Sequence, residues 1–149
     1  MININSINYN QFISNQGWVS FNYPANLISI EEEEGTYLFY TEKTGSFRLT
    51  PLKLEGKNNF DANKYLKDLS NKNKGKILKN QHGNEYVYYI SSSADNEDNF
   101  TIFNWIFAVN NKIVYCSYTI DTDSTNDSQI ISEKGEIFKI IENLNITKK

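Results

Sequence analysis

The sole histidine, His82, and the sole cysteine, Cys116, are the two residues whose types could make a nucleophile and its base. Such partners need only be close in space. His82, however, stands in a His-Gly-Asn turn signal, and Cys116 lies inside the apolar run KIVYCSYTI. A buried cysteine behaves as a small hydrophobe, and no nucleophile-elbow or oxyanion-hole motif accompanies the pair. A solvated turn histidine and a structural cysteine are expected. One His with one Cys cannot complete a structural zinc site. The acidic stretch Asp95-Asn96-Glu97-Asp98-Asn99 lacks the central glycine and closing glutamate of an EF-hand loop, and Asp121, Asp123 and Asp127 share that weakness. No glycine-rich phosphate cradle occurs. The lysines of NKNKGK (71–76) need no anion, because a helix C-terminus favours them. The sequence therefore predicts no catalytic residue, no metal site and no cofactor.

The remaining charged groups suggest recognition. In a strand, alternate residues of the run Glu31, Glu32, Glu33 and Glu34 face opposite sides, so a doubly covered sheet could not bury them all. They belong at an edge or strand end, where charge blocks unwanted pairing. The functional alternative is an acidic rim that meets a basic protein partner. Asp95, Glu97, Asp98, Asp121 and Asp123 would join it if their loops converge. Arg48 is the only arginine, on an otherwise apolar strand. It can pair with a glutamate of the neighbouring strand or contact a ligand carboxylate.

Composition narrows the class. At 149 residues the chain reads as a single domain over 1–149. Its 14% aromatic content predicts a core built largely from rings. A formal net charge of −3 argues against a nucleic-acid binder, which would carry a basic stripe. The N-terminus shows no charged leader followed by an apolar stretch, and no apolar run is long enough to span a bilayer. A soluble cytoplasmic protein, bound to no membrane, is expected.

The elements that must position these groups follow from periodicity. Residues 1–16 form an arm, a short strand or a helical turn. Alternation predicts strands over Trp18–Tyr23, Leu27–Glu33, Thr36–Thr41 and Ser46–Leu54, with Glu34-Gly35 and Thr44-Gly45 as turns. Pro51 suggests an edge position or a bulge. A helix capped by Asp61 runs to about Asn71–Gly75. Strands follow at Lys76–Lys79 and Glu85–Ser91, then a polar loop, SSADNEDN. Phe100–Val109 and Lys112–Ile120 make a hairpin around Asn110-Asn111. A last helix spans Ser128–Leu144, with Gly135 as a weak point. Strands with apolar residues at both parities need cover on both faces. The fold class is α+β: an antiparallel sheet of about six to eight strands between helices, in the order ββββ-α-ββββ-α.

This order resembles the PsbP-like fold shared with the Mog-type Ran-binding proteins. Within it the chain looks most like a small family of Bacteroidetes-type bacterial domains. The resemblance rests on Gly17-Trp18, Ser20-Phe21 and Tyr23-Pro24, on Glu34-Gly35-Thr36 with Leu38-Phe39-Tyr40, on Thr44 to Arg48, and on Trp105-Ile106. It implies a helix-covered antiparallel sheet, usually without catalysis, in a superfamily whose members typically do binding, assembly or chaperone-like work; the fold carries over from it and no function does. For a small, acidic single domain, a non-catalytic protein-binding module is the expectation. An immunity protein neutralising a toxin predicts a basic partner, and an effector adaptor predicts an apolar groove. The alternative is a small-molecule binder or enzyme with a sheet–helix pocket near Arg48, with His82 as a second polar contact.

Overall fold

The computed structural model describes residues 8–56, 59–95 and 97–147. The first seven residues of the expected arm, and Asn96, lie outside them, as does the side chain of Asp95. Among the described residues the fold consists of two sheets and two helices. In chain order the elements are β1 (Tyr9–Ile13), β2 (Val19–Pro24), β3 (Ile28–Glu33), β4 (Thr36–Tyr40), β5 (Ser46–Lys53) and α1 (Ala62–Asn73). They continue with β6 (Lys76–Lys79), β7 (Glu85–Asp95), β8 (Asp98–Val109), β9 (Lys112–Asp121), a 3-10 turn at Thr122–Ser124, α2 (Ser128–Asn143) and β10 (Asn145–Ile146). The large sheet is antiparallel, seven-stranded and ordered β3-β4-β5-β9-β8-β7-β6; β1, β2 and β10 form a separate small sheet. The α+β class and the antiparallel sheet between helices are as the sequence predicts.

Alternation assigns the two faces of the large sheet. Phe47 pairs with Tyr118 and Leu49 with Cys116, and Trp105 lies opposite Cys116 and Tyr88. These side chains form the main core with Phe12, Val19 and Phe21 of the small sheet and Ile130, Ile137 and Ile141 of α2. The opposite face carries Arg48, Thr50, Tyr115, Asn104 and Val87. There α1 seals a second cluster, burying Leu66 against Val87 and Ala108. Asp61 caps α1 as expected, its carboxylate accepting the N–H of Lys64 at 3.1 Å. Asp127 caps α2 in the same way through Gln129.

Three local features differ from the sequence reading. β1 and β10 both pair with β2, so the main face is covered by α2 and a small sheet together rather than by a helix alone. The polar SSADNEDN segment is not a loop: β7 and β8 stay paired out to Asp95 and Asp98. A ladder needs backbone partners, not apolar alternation, which is why polar residues conceal it. Pro51 lies in an interior strand, yet β4 pairs with β5 only from Ser46 to Leu49, so the β4 side of Pro51 is open. α1 ends within the expected Asn71–Gly75 segment, on Lys74 in the left-handed conformation with φ 55°. Gly75 is needed for close approach, because a Cβ there would stand 2.9 Å from the backbone oxygen of Tyr88.

Candidate functional site

β3 is an edge strand of the large sheet, and its register with β4 shifts between Glu31 and Glu33. Such a bulge leaves one residue unpaired and re-aims its side chain. Here that residue is Glu32, and it reaches Arg48 of β5 across β4. The Arg48 Nε donates to Glu32 Oε1 at 2.8 Å and Nη2 donates to Oε2 at 3.0 Å. This fork-to-fork pair holds the Glu32 carboxyl below the ordinary range and raises Arg48 further. Glu31 serves the turn: Oε2 accepts the Gly35 N–H at 3.0 Å and Oε1 an Asn15 amide hydrogen at 3.1 Å. Those bonds, the Gly35 N–H first, lower its pKa as well. Glu33 and Glu34 are exposed.

Beside Arg48 lies a cleft of about 460 Å³. It exists because α1 packs on β6, β7 and β8 and stops short of β3, β4 and β5. Its floor is the sheet face carrying Thr36, Arg48, Thr50, Asn104, Ile106 and Ser117, and its wall is Leu69, Lys72 and Asn73 of α1. The hydroxyls of Tyr65 and Tyr115, 2.9 Å apart, tie helix to sheet, and burial raises the Tyr65 pKa well above normal. Of the lining groups the sequence points to Arg48 as a ligand contact, while it reads Cys116 as structural and gives Lys72 to the helix C-terminus rather than to an anion. The other sheet residues of the cleft share a face with Arg48 through pairing, as in Arg48–Ser117–Asn104, which sequence does not reveal.

The acidic residues fall into two groups. Asp95 pairs with Asp98 at the β7–β8 tip, and Asp121 pairs with Phe100 at the end of β9. The Thr101 and Thr122 hydroxyls meet at 3.0 Å, which keeps Asp123 near the same end. Glu97, Asp98, Asp121 and Asp123 are all exposed. Glu31 lies level with Tyr37, Leu49 and Cys116, five residues below Asp121 along the strand direction. At about 3.3 Å per residue that is about 16 Å, with further displacement across four strands. The glutamate run therefore does not share a continuous rim with the acidic hairpin end.

His82 is an exposed turn residue between β6 and β7, and it does not line the Arg48 cleft. Cys116 is buried in the main core, where desolvation drives its thiol pKa far up. Strands β9, β8 and β7 separate Arg48 from the His82 turn, so the expected pairing of the two around one ligand does not form. Among the described residues, no group of three His, Cys, Asp or Glu side chains is placed to hold a metal ion. No helix among them is long and apolar enough to cross a membrane. A second groove, of about 980 Å³, runs between α2 and the β2–β3 and β4–β5 connections. Glu133 of α2 closes one side of it, accepting from the Gly45 N–H at 3.0 Å and the Tyr118 hydroxyl at 2.6 Å.

Solved structures share this architecture. A Bacteroides thetaiotaomicron protein superposes with a TM-score of 0.74 at 24% identity over 93% of this chain. This chain spans about half of that protein, 48% of its length. The Saccharomyces cerevisiae Ran-binding protein Mog1p matches with a TM-score of 0.54 at 12% identity, covering 96% of this chain and 97% of its own. PsbP from the cyanobacterium Synechocystis matches with 0.55 at 10% identity, covering 98% and 96%. These similarities show the PsbP/Mog-like fold. Among curated proteins no sequence match was found. Residues 7–149 match the domain of unknown function DUF3805, and the chain belongs to that family.

Proposed function

We propose that the protein is a non-catalytic binding module that recognises another protein through the acidic end of its large sheet. The observation that carries this reading is the clustering of Asp98, Asp121 and Asp123 at one end of β8 and β9, next to the Asp95–Asp98 hairpin tip. The segments 91–101 and 119–128 hold six carboxylates and no lysine or arginine. Such a surface steers a basic partner and accelerates encounter. The fold is also that of Mog1p, a Ran-binding protein, so it can carry a protein-binding surface. An immunity protein held against a basic toxin fits this chemistry, in a cytoplasmic setting. Glu31–Glu34 are left out of the contact surface, because Glu31 and Glu32 are engaged within the fold.

The test is the association rate of the captured partner at several salt concentrations. With Glu97→Gln, Asp98→Asn, Asp121→Asn and Asp123→Asn combined, the on-rate at low salt should fall about tenfold and lose its salt dependence. An unchanged on-rate in that variant overturns the acidic-end reading. A partner that instead fills the groove beside α2 would favour the adaptor version.

A further inference from the structure

We propose that the cleft between α1 and the sheet binds a small organic carboxylate, with Arg48 and Lys72 as its two cations. The electrostatics set the sign of the ligand. In a chain of net charge −3, the residues lining this cleft include an arginine and a lysine and no aspartate or glutamate. The cations come from separate elements, Arg48 from β5 and Lys72 from α1, so they flank the opening rather than form one surface stripe.

The chemistry of the anion follows from what Arg48 already does. Its guanidinium holds the Glu32 carboxylate through two N–H groups, at 2.8 and 3.0 Å. A guanidinium has five such donors, so three remain for a second acceptor. Glu32 stands on an edge strand, at a bulge, and its side chain is one-third exposed. It is a partner that a ligand carboxylate can supplement or replace. The cleft also has apolar lining, Ile106 on its floor and Leu69 on its wall, with the ring of Tyr115. An inorganic anion would leave this lining wet, whereas a carboxylate with a flat apolar body covers it. The volume, about 460 Å³, suits one small molecule.

Because Arg48 is the only arginine, its Nε–H gives a single side-chain resonance in the nitrogen-15-labelled protein. Benzoate is the probe, with benzyl alcohol and inorganic phosphate as comparisons. Benzoate should shift that resonance saturably, and benzyl alcohol should not. Lys72→Gln should weaken binding at least threefold. Glu32→Gln should tighten it severalfold, because it removes the competing negative charge while leaving Arg48 in place. Both side chains are on the surface, and the remainder of each spectrum reports whether the fold is intact. The proposal is overturned if benzoate gives no saturable shift in either the native protein or Glu32→Gln. It is equally overturned if phosphate matches benzoate in affinity, or if Glu32→Gln fails to tighten binding.

Discussion

Glu32 and Arg48 are bonded to each other although their strands never pair: β4 lies between β3 and β5, and the bulge in β3 brings the carboxylate across it. The pair is partly exposed, so its contribution to stability is at most about 1 kcal/mol. Arg48 depresses the Glu32 pKa. A carboxylate with a lowered folded-state pKa stabilises the fold above its unfolded value, near 4.3, and that stability is lost as pH falls through the folded value. Urea denaturation of native protein and Glu32→Gln should differ by up to about 1 kcal/mol at neutral pH, and the difference should vanish in acid. A difference that persists unchanged in acid would refute the linkage.

Asn80 should be the most costly exposed-turn neighbour to alter. Its amide donates to the carbonyls of Ile141 and Leu144 at 2.9 and 2.7 Å, and its oxygen accepts the N–H groups of His82 and Asn84. It thus caps the end of α2 and shapes the β6–β7 turn while nearly buried. Asn80→Ala leaves several buried groups unpaired and should cost about 2–4 kcal/mol in chemical denaturation.

Two glycines should respond in opposite directions to alanine. Gly135 sits in α2 with open space where a Cβ would go, so Gly135→Ala should stabilise by about 0.5–1 kcal/mol. At Gly75 the new carbon would stand 2.8 Å from Val87 Cγ1 as well as 2.9 Å from a backbone oxygen. Gly75→Ala should destabilise by about 1–3 kcal/mol. Thermal unfolding of the two variants side by side distinguishes these outcomes.

Cys116 should be inert in the folded protein. Its raised pKa and full burial withhold the thiolate that alkylating reagents attack. Modification by iodoacetamide at pH 8 should appear only with unfolding, at a rate that tracks denaturant concentration. Rapid labelling without denaturant would reopen a chemical role for this residue.

Much of this architecture is legible in the chain. The Asn110-Asn111 hairpin, the Asp61 cap and the edge position of the glutamates follow from local rules, and each is present. What escapes is set by partners distant in sequence. β10 is only two residues, recognisable solely because β2 has an unpaired side for it. The cleft is similar: Thr36, Asn104 and Ser117 look unremarkable, and Lys72 reads as a helix-end lysine, until three strands and a helix bring them beside Arg48. The bulge at Glu32 leaves no mark in a run of four identical residues.

The two open borders of the large sheet carry opposite charge. β3 presents Glu31, Glu32 and Glu33, whereas β6 is Lys-Ile-Leu-Lys, exposed along its length. Repulsion between like edges therefore cannot keep molecules apart in a head-to-tail stack, since β3 of one copy would attract β6 of the next. An addition of that kind does not close on itself and would grow into a filament. The shape of the borders has to oppose it. β6 offers only four residues of backbone, and the irregular β3 cannot present an even ladder to receive them. The displaced glutamate that reaches the arginine is also an obstacle to polymerisation.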